Sequence, residues 1–322
     1  MSFLQKIFSI KNETSKKHRI YKVVTIMGIR LKFLKKIKWF NYCSFIDMSN
    51  AIKKNIKVLP TDIDLVVGIP RSGVIPAYMI ALFLNKKVCS LTEFLNGLTP
   101  QNGERPINEP LSKIKNVLIV DDSLYGGTAM QKTKNLIEKQ SGENQYNIKY
   151  CAIFSINKNK DKVDYYFQIV EQPRLFQWNY LNHKFVNNSC FDMDGVLCVD
   201  PTREENDDGE NYLNFIKNAK PLYIPCYEIN SIVTSRLEKY RKETEQWLRD
   251  NNVKYKKLYM LDLPNAEIRR KKNCHAKFKA KIYSKLDDCY CFVESNRKQA
   301  EDIARLSKKQ CICVETDECF GE

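Results

Sequence analysis

The chain has 322 residues, of which 43% are hydrophobic and 28% charged. That is long enough for two domains with proper cores and marks an ordinary soluble globular protein. No apolar run reaches the length of a membrane span, and the N-terminus lacks the apolar core of a signal peptide. The three histidines, His18, His183 and His275, are scattered, which argues against a histidine metal cluster. Twelve cysteines occur without a Cys-x-x-Cys pair. Cys289/Cys291 and Cys311/Cys313 have strand spacing and read as small buried hydrophobes in a reducing cytosol, with a zinc site as the alternative.

The formal net charge of +15 is unevenly placed, because residues 1–40 hold eleven Lys or Arg and a single acid, Glu13. Within this arm Met1–Phe8 is apolar and basic, and Tyr21–Ile26, Met27-Gly28 and Ile29–Phe33 read as strand, turn, strand. Alternation puts Ile29, Leu31 and Phe33 on one face and Arg30 and Lys32 on the other. With Phe3, Phe8, Trp39 and Phe40 added, the arm suits an anionic membrane surface. Nucleic acid is the rival partner, not the expected one, and a solvated tail is the plain alternative. The arm also resembles N-terminal segments of bacterial enzymes that build capsule and lipopolysaccharide glycans.

Residues 44–57 read as a helix, and Asp62–Gly68 as a strand entering the turn Ile69-Pro70-Arg71-Ser72-Gly73 ahead of helical Ile75–Leu84. Thr99–Pro110 is polar and broken by Pro and Gly, a long loop of the functional or disordered kind. Val117–Val120 is a buried parallel strand by composition, followed by Asp121-Asp122-Ser123-Leu124-Tyr125-Gly126-Gly127-Thr128 and a helix over Met130–Lys139. Two glycines let backbone N–H groups curl around an anion, Thr128 adds a hydroxyl, and the helix N-terminus adds its dipole. Paired acids beside such a nest would repel the anion unless they bind sugar hydroxyls or a metal. Ribose diol plus phosphate is what this combination fits.

The stretch resembles the 5-phosphoribosyl-1-pyrophosphate (PRPP) loop of type I phosphoribosyltransferases. The resemblance implies that Asp121 and Asp122 hold the ribose hydroxyls, while Ser123, Tyr125, Gly126, Gly127 and Thr128 surround the 5-phosphate. It also places Arg71, Ser72 and Gly73 on pyrophosphate and makes 99–110, with Glu104 and Arg105, the flap over PRPP. Ile148–Phe154 and Val163–Ile169 would complete an open parallel sheet with helices on both faces. Residues 171–188 are aromatic and irregular and read as a connecting segment packed at a domain seam.

At Ser189 the pattern restarts with Cys190-Phe191-Asp192-Met193-Asp194-Gly195-Val196. Asp-x-Asp-Gly-Val after an apolar strand resembles the first motif of haloacid-dehalogenase (HAD) phosphatases. Asp192 is then a nucleophile for phosphorus, Asp194 a proton donor and later a base for water, and Mg(II) the charge that offsets carboxylate meeting phosphate. The same resemblance makes Thr234 and Ser235 phosphate ligands, Lys279 the cation of the third motif, and Glu294 a metal ligand with Asp192 and Asp194. Ser295 follows Glu294 where the family usually has a second acid, leaving the metal one carboxylate short. Gly195 and Ser231 are too close for a large cap: Glu210–Ala219 is one helix, and Leu237–Asp250 a second with Trp247 and Leu248 on its apolar stripe. The acidic run Glu204–Glu210 reads as a solvated loop.

The expected fold is α/β with two doubly wound parallel sheets. A basic arm (1–40) precedes a phosphoribosyltransferase domain (41–170), a connecting segment (171–188) and a HAD-like domain with minimal cap (189–322). Joined, the halves imply transfer of 5-phosphoribosyl from PRPP to a glycan or lipid-linked glycan acceptor, then removal of the 5-phosphate. Mg(II) is expected in both sites, and the protein is expected in the cytoplasm, peripheral to the inner face of the membrane, with oligomerisation possible. The alternatives are a nucleobase phosphoribosyltransferase fused to a nucleotidase, and a non-catalytic PRPP or phosphate sensor.

Overall fold

Three antiparallel strands open the chain, β1 (Phe8–Thr14), β2 (Ile20–Ile26) and β3 (Ile29–Leu34), with β2 in the centre. The second and third are the pair that alternation predicts. The first carries Ser-Ile-Lys-Asn-Glu-Thr, a composition of weak β propensity, and its pairing with β2 supplies what the local sequence does not. The computed structural model describes residues 8–14, 20–26, 29–34, 39–98, 114–141, 146–272 and 274–321. Most of the Met1–Phe8 stretch, the Met27-Gly28 turn and the expected flap with Glu104 and Arg105 lie outside the described residues. The chain divides into one unit over Asn41–Trp178 and another formed by Met1–Phe40 and Asn179–Glu322.

In the Asn41–Trp178 unit, β4 (Asn41–Cys43) leads into α1 (Phe45–Asn55), which Ser44 and Asp47 start with reciprocal side-chain caps. Then follow β5 (Leu65–Gly68), α2 (Val74–Leu84), β6 (Lys87–Ser90), α3 (Leu91–Leu95), β7 (Asn116–Leu124), α4 (Thr128–Ser141), β8 (Asn147–Ser155) and β9 (Tyr165–Ile169). The sheet is parallel in the order β6-β5-β7-β8-β9. Strands buried on both faces need apolar runs, which β5 and Val117–Val120 supply. Strand order reverses between β5 and β7, so a crevice opens at their carboxyl ends.

Part of the expected connecting segment belongs to this unit. β10 (Arg174–Phe176) pairs in parallel with β4, and Phe176 packs in the core with Trp178 against it. Aromatic, irregular composition marked burial but could not say against what.

In the second unit β11 (Ser189–Phe191) is followed by α5 (Glu210–Asn218), β12 (Ile229–Leu237), α6 (Arg241–Asp250), β13 (Tyr255–Leu261), α7 (Ala266–Lys272) and α8 (His275–Lys285). β14 (Cys291–Glu294), α9 (Arg297–Ser307), β15 (Gln310–Cys313) and β16 (Cys319–Phe320) complete it. The order is β13-β12-β11-β14-β15-β16, parallel except for β16. β11 is central, and the chain leaves it toward β12 on one side and β14 on the other, giving a second crevice at carboxyl ends. Cys289, Cys291, Cys311 and Cys313 are all buried. Trp247 and Leu248 are buried as their stripe requires, but α6 begins at Arg241 because β12 runs on through Leu237.

The acidic run is largely solvated, with Glu204, Asp207, Gly209 and Glu210 exposed, and two of its carboxylates also take up neighbouring groups. Asp207 accepts from the Gly209 and Tyr212 N–H groups at the start of α5, while Asp208 pairs with Lys239 at 2.9 Å and accepts from the Ala266 N–H and the Tyr240 hydroxyl. The partners of Asp208 lie tens of residues away, so the run showed its charge and not those neighbours. Among the described residues no helix is long and apolar enough to cross a membrane.

Candidate active sites

The first site sits at the carboxyl ends of β5 and β7. β7 continues through Leu124, so Asp121 and Asp122 lie inside the strand rather than after it. They are 7% and 4% exposed. Asp122 Oδ1 accepts from the Ser72 hydroxyl at 2.9 Å, and its Oδ2 from the Trp178 indole N–H at 2.8 Å. Asp122 therefore ties the β5 turn to the β7 loop. Asp121 Oδ1 accepts from the Asp122 N–H, and burial reinforced by the Asp122 charge pushes its carboxyl up to about 8. The Pro70–Arg71 peptide is cis, with Arg71 exposed at the mouth and Gly73 buried beneath it.

Tyr125, Gly126 and Gly127 form the turn from β7 into α4, whose first residue is Thr128. Gly127 has φ +80°, and a Cβ there would lie 2.9 Å from the Lys162 side chain, so the turn requires glycine. Lys162 Nζ donates to the Gly126 carbonyl at 2.8 Å, and the Asn159 amide donates to the Tyr125 carbonyl. Residues 157–162 thus brace the turn from behind while Ser123 is half-buried and Tyr125 and Thr128 are exposed. The sequence identified Arg71, Ser72, Gly73, Asp121, Asp122 and the 123–128 turn, and the fold brings them together. It did not flag Trp178, Lys162 or Asn159, whose only signal is the polar atom each offers to a loop far away in sequence.

Trp178 stacks on Phe176 with ring centroids 4.8 Å apart. Trp178→Phe keeps that stacking and removes the N–H from Asp122. A hydrogen bond to a charged group is worth about 1.5–3 kcal/mol, so the variant should melt lower and, as Asp122 loses its orientation, turnover at this site should fall roughly 10- to 100-fold. Steady-state pyrophosphate release checks it, and an unchanged rate would leave Trp178 with packing alone.

The second site is a cavity of about 360 Å³ at the carboxyl ends of β11, β12 and β14. Lys279, 2% exposed, donates to Asp192 Oδ2 and Glu294 Oε2, both at 2.6 Å, and to Gln299 at 3.1 Å. Burial alone would lower the lysine, but the two carboxylates more than offset it and hold it protonated. Burial pushes the Asp192 carboxyl upward, opposed by Lys279 and reinforced by Glu294. The remaining oxygens are fixed by the backbone: Asp192 Oδ1 accepts from the Met193 N–H, and Glu294 Oε1 from Ser295 and Asn296.

Gly195, at φ +75°, lets the Asp192–Asp194 loop pass Ser295, whose Oγ would stand 2.2 Å from a Cβ. Thr234 and Ser235 line the cavity from β12, where pairing with β13 is irregular between Val233 and Leu237, a distortion common beside active sites. Asp194 is held by Arg236 at 2.6 Å. Asp200, Arg269 and His275 also line the cavity and were not anticipated. Burial, then Arg269 and Lys279, lower His275 to about 4, so its imidazole is neutral at neutral pH.

Among the described residues no group of three or more His, Cys, Asp or Glu side chains is arranged to hold a metal ion. Mg(II) needs fewer protein ligands, because it keeps waters and takes substrate phosphate oxygens alongside one or two carboxylates. The oxygen donors of Asp192 and Glu294, at the ends of adjacent strands, fit that requirement, whereas the carboxyl of Asp194, expected as a third ligand, is taken up by Arg236.

Residues 44–185 match the family described as "Phosphoribosyl transferase domain". This segment, which contains the whole of the first site, is therefore a phosphoribosyltransferase-type domain. Similar solved structures include a purine phosphoribosyltransferase from Pyrococcus horikoshii, 24% identical over 43% of this chain and 93% of that one, TM-score 0.32. Another is the Helicobacter pylori xanthine-guanine-hypoxanthine phosphoribosyltransferase, 13% identical over 44% and 95% of the two chains, TM-score 0.34. A third is the Aeropyrum pernix orotate phosphoribosyltransferase, 16% identical over 50% and 87%, TM-score 0.29. No curated protein matches the chain.

Proposed function

We propose that the chain transfers 5-phosphoribosyl from PRPP to a surface-glycan acceptor and then removes the 5-phosphate in a second, HAD-type centre. The observation that carries the pairing is Lys279, buried between Asp192 and Glu294 at 2.6 Å from each, in a cavity shared with Thr234. In the first centre the bond from ribose C1 to pyrophosphate breaks and one from C1 to an acceptor hydroxyl oxygen forms, with release of the hydroxyl proton. Asp121 and Asp122 hold the ribose hydroxyls, with the Asp122 carboxylate also stabilising the cationic ring of the transition state. Backbone N–H groups of the 126–128 turn hold the 5-phosphate, and Arg71 the departing pyrophosphate.

In the second centre an Asp192 oxygen attacks phosphorus and the ester P–O bond breaks, with Asp194 giving its proton to the leaving ribose oxygen. Water activated by Asp194 then frees inorganic phosphate from Asp192. Asp192 and Glu294 would hold Mg(II) in this centre, where it would supply positive charge against the phosphate oxygens. A nucleotide-forming transferase gains nothing from an attached phosphatase that destroys its product, whereas an acceptor that must end as a plain ribofuranoside does. Supplying PRPP and Mg(II) with a panel of acceptors tests the reading. Pyrophosphate release is expected with glycan acceptors; release with orotate or a purine instead would replace the glycan, and none with either class would favour a sensor.

We place the basic arm on an anionic membrane, where each Lys or Arg near the surface contributes about 1 kcal/mol. Replacing Lys35, Lys36 and Lys38 by Glu should lower co-sedimentation with phosphatidylglycerol vesicles while pyrophosphate release is unchanged. Undiminished sedimentation would remove the membrane from the account.

A further inference from the structure

Among the described residues, Arg236 is the largest side chain with no solvent exposure. A guanidinium taken out of water costs several kcal/mol unless an anion meets it in good geometry. The anion is Asp194: Arg236 Nε reaches Oδ1 at 3.0 Å and Oδ2 at 3.3 Å, and Nη2 reaches Oδ1 at 2.6 Å. Cys198 takes a further contact from Nη2 at 3.3 Å, and its own Sγ lies 3.5 Å from Asp194 Oδ1. The guanidinium also lies over the Phe215 ring of α5 at 5.7 Å. Every short contact thus converges on Oδ1. Among the described residues Oδ2 keeps the longer contact alone, on a side chain that is 19% exposed and lines the cavity.

We infer that Arg236 is a positioning residue that locks the Asp194 rotamer so that Oδ2 faces the leaving oxygen of a phosphate ester. The inference rests on the phosphatase reading of this site and deepens it. Arg236 touches no substrate; it acts through Asp194. A carboxyl swung away from the leaving oxygen still permits attack by Asp192 but fails to deliver the proton. The substrates that suffer are therefore those whose alcohol cannot leave unprotonated, which is the class a ribosyl 5-phosphate belongs to. An aryl ester such as p-nitrophenyl phosphate leaves as the phenolate and needs no donor in the first half-reaction. Release of phosphate from Asp192 still needs Asp194 with either ester, so the two are compared in the first turnover, by alcohol release.

The test compares p-nitrophenyl phosphate with ribose 5-phosphate in the wild type, Arg236→Met, Arg236→Lys and Asp194→Asn. In a single turnover, Arg236→Met should slow alcohol release about 10²-fold from ribose 5-phosphate, the span ordinarily carried by general acid catalysis, and less than about tenfold from the aryl ester. Arg236→Lys should recover part of the alkyl activity. In the Asp194→Asn background, Arg236→Met should cost nothing further on ribose 5-phosphate. A parallel fall on both esters, or full additivity with Asp194→Asn, would overturn the inference. Should Arg236→Met not fold, Arg236→Lys carries the same comparison: an alkyl-selective loss supports positioning and an equal loss refutes it. A wild type inert toward both esters would instead refute the phosphatase reading itself.

Discussion

Asp192→Asn should stop the reaction halfway, with a phosphoribosylated acceptor accumulating while pyrophosphate is still released. The substitution is nearly isosteric, and the amide can keep the Met193 N–H contact through its oxygen. What it loses is the nucleophile. A neutral amide oxygen does not attack phosphorus, so dephosphorylation should fall by at least about 10³-fold. The amide also places an NH₂ or an uncharged oxygen against Lys279, which now has Glu294 as its one ionised partner. Breaking one arm of a buried ion cluster costs about 3–5 kcal/mol at the upper end, so the variant should melt lower as well. First-step turnover serves as the internal control. Mass spectrometry of the acceptor reads the result directly, and an unphosphorylated ribosyl product from this variant would refute the division of labour.

Asp122→Asn should have the opposite phenotype, abolishing pyrophosphate release while ester hydrolysis at the second site continues. The amide can preserve the local geometry. Its oxygen accepts from Trp178, and its NH₂ donates to the Ser72 hydroxyl, which rotates to accept. The loop should therefore hold, and only the negative charge is removed. On the proposed mechanism that charge stands beside the ring carbon that becomes cationic in the transition state. Removing preorganised electrostatic stabilisation of this kind costs about 10²- to 10³-fold in kcat. A variant that releases pyrophosphate at the wild-type rate would show that Asp122 only tethers Ser72 and Trp178.

Local chemistry was easy to read from the sequence and long-range chemistry was not. Asp121, Asp122, Gly126 and Gly127 are neighbours along the chain, so a strand, two acids and a glycine turn announce themselves together. Asp192 and Lys279 are 87 residues apart. Their meeting could be expected only because each sits in a motif of its own. Arg236 sits two residues past Thr234, and nothing in a Thr-Ser-Arg run says that the arginine turns inward to a carboxylate in another loop. Trp178 fell in a segment read as a connection, since aromatic residues without periodicity signal burial but name no partner. The run 204–210 read as a solvated loop, and most of it is exposed; what the sequence could not show were the partners of Asp208, since charge was visible while Lys239, Tyr240 and the Ala266 N–H were not.

The central claim is that one centre transfers a phosphorylated sugar and the other then strips its phosphate. Timed release of pyrophosphate and inorganic phosphate from PRPP, in the presence of a glycan acceptor, tests it most directly. The account predicts one inorganic phosphate for every pyrophosphate, appearing after a lag that lengthens as the second site is weakened. Phosphate that appears without prior pyrophosphate, or pyrophosphate never followed by phosphate, would contradict it.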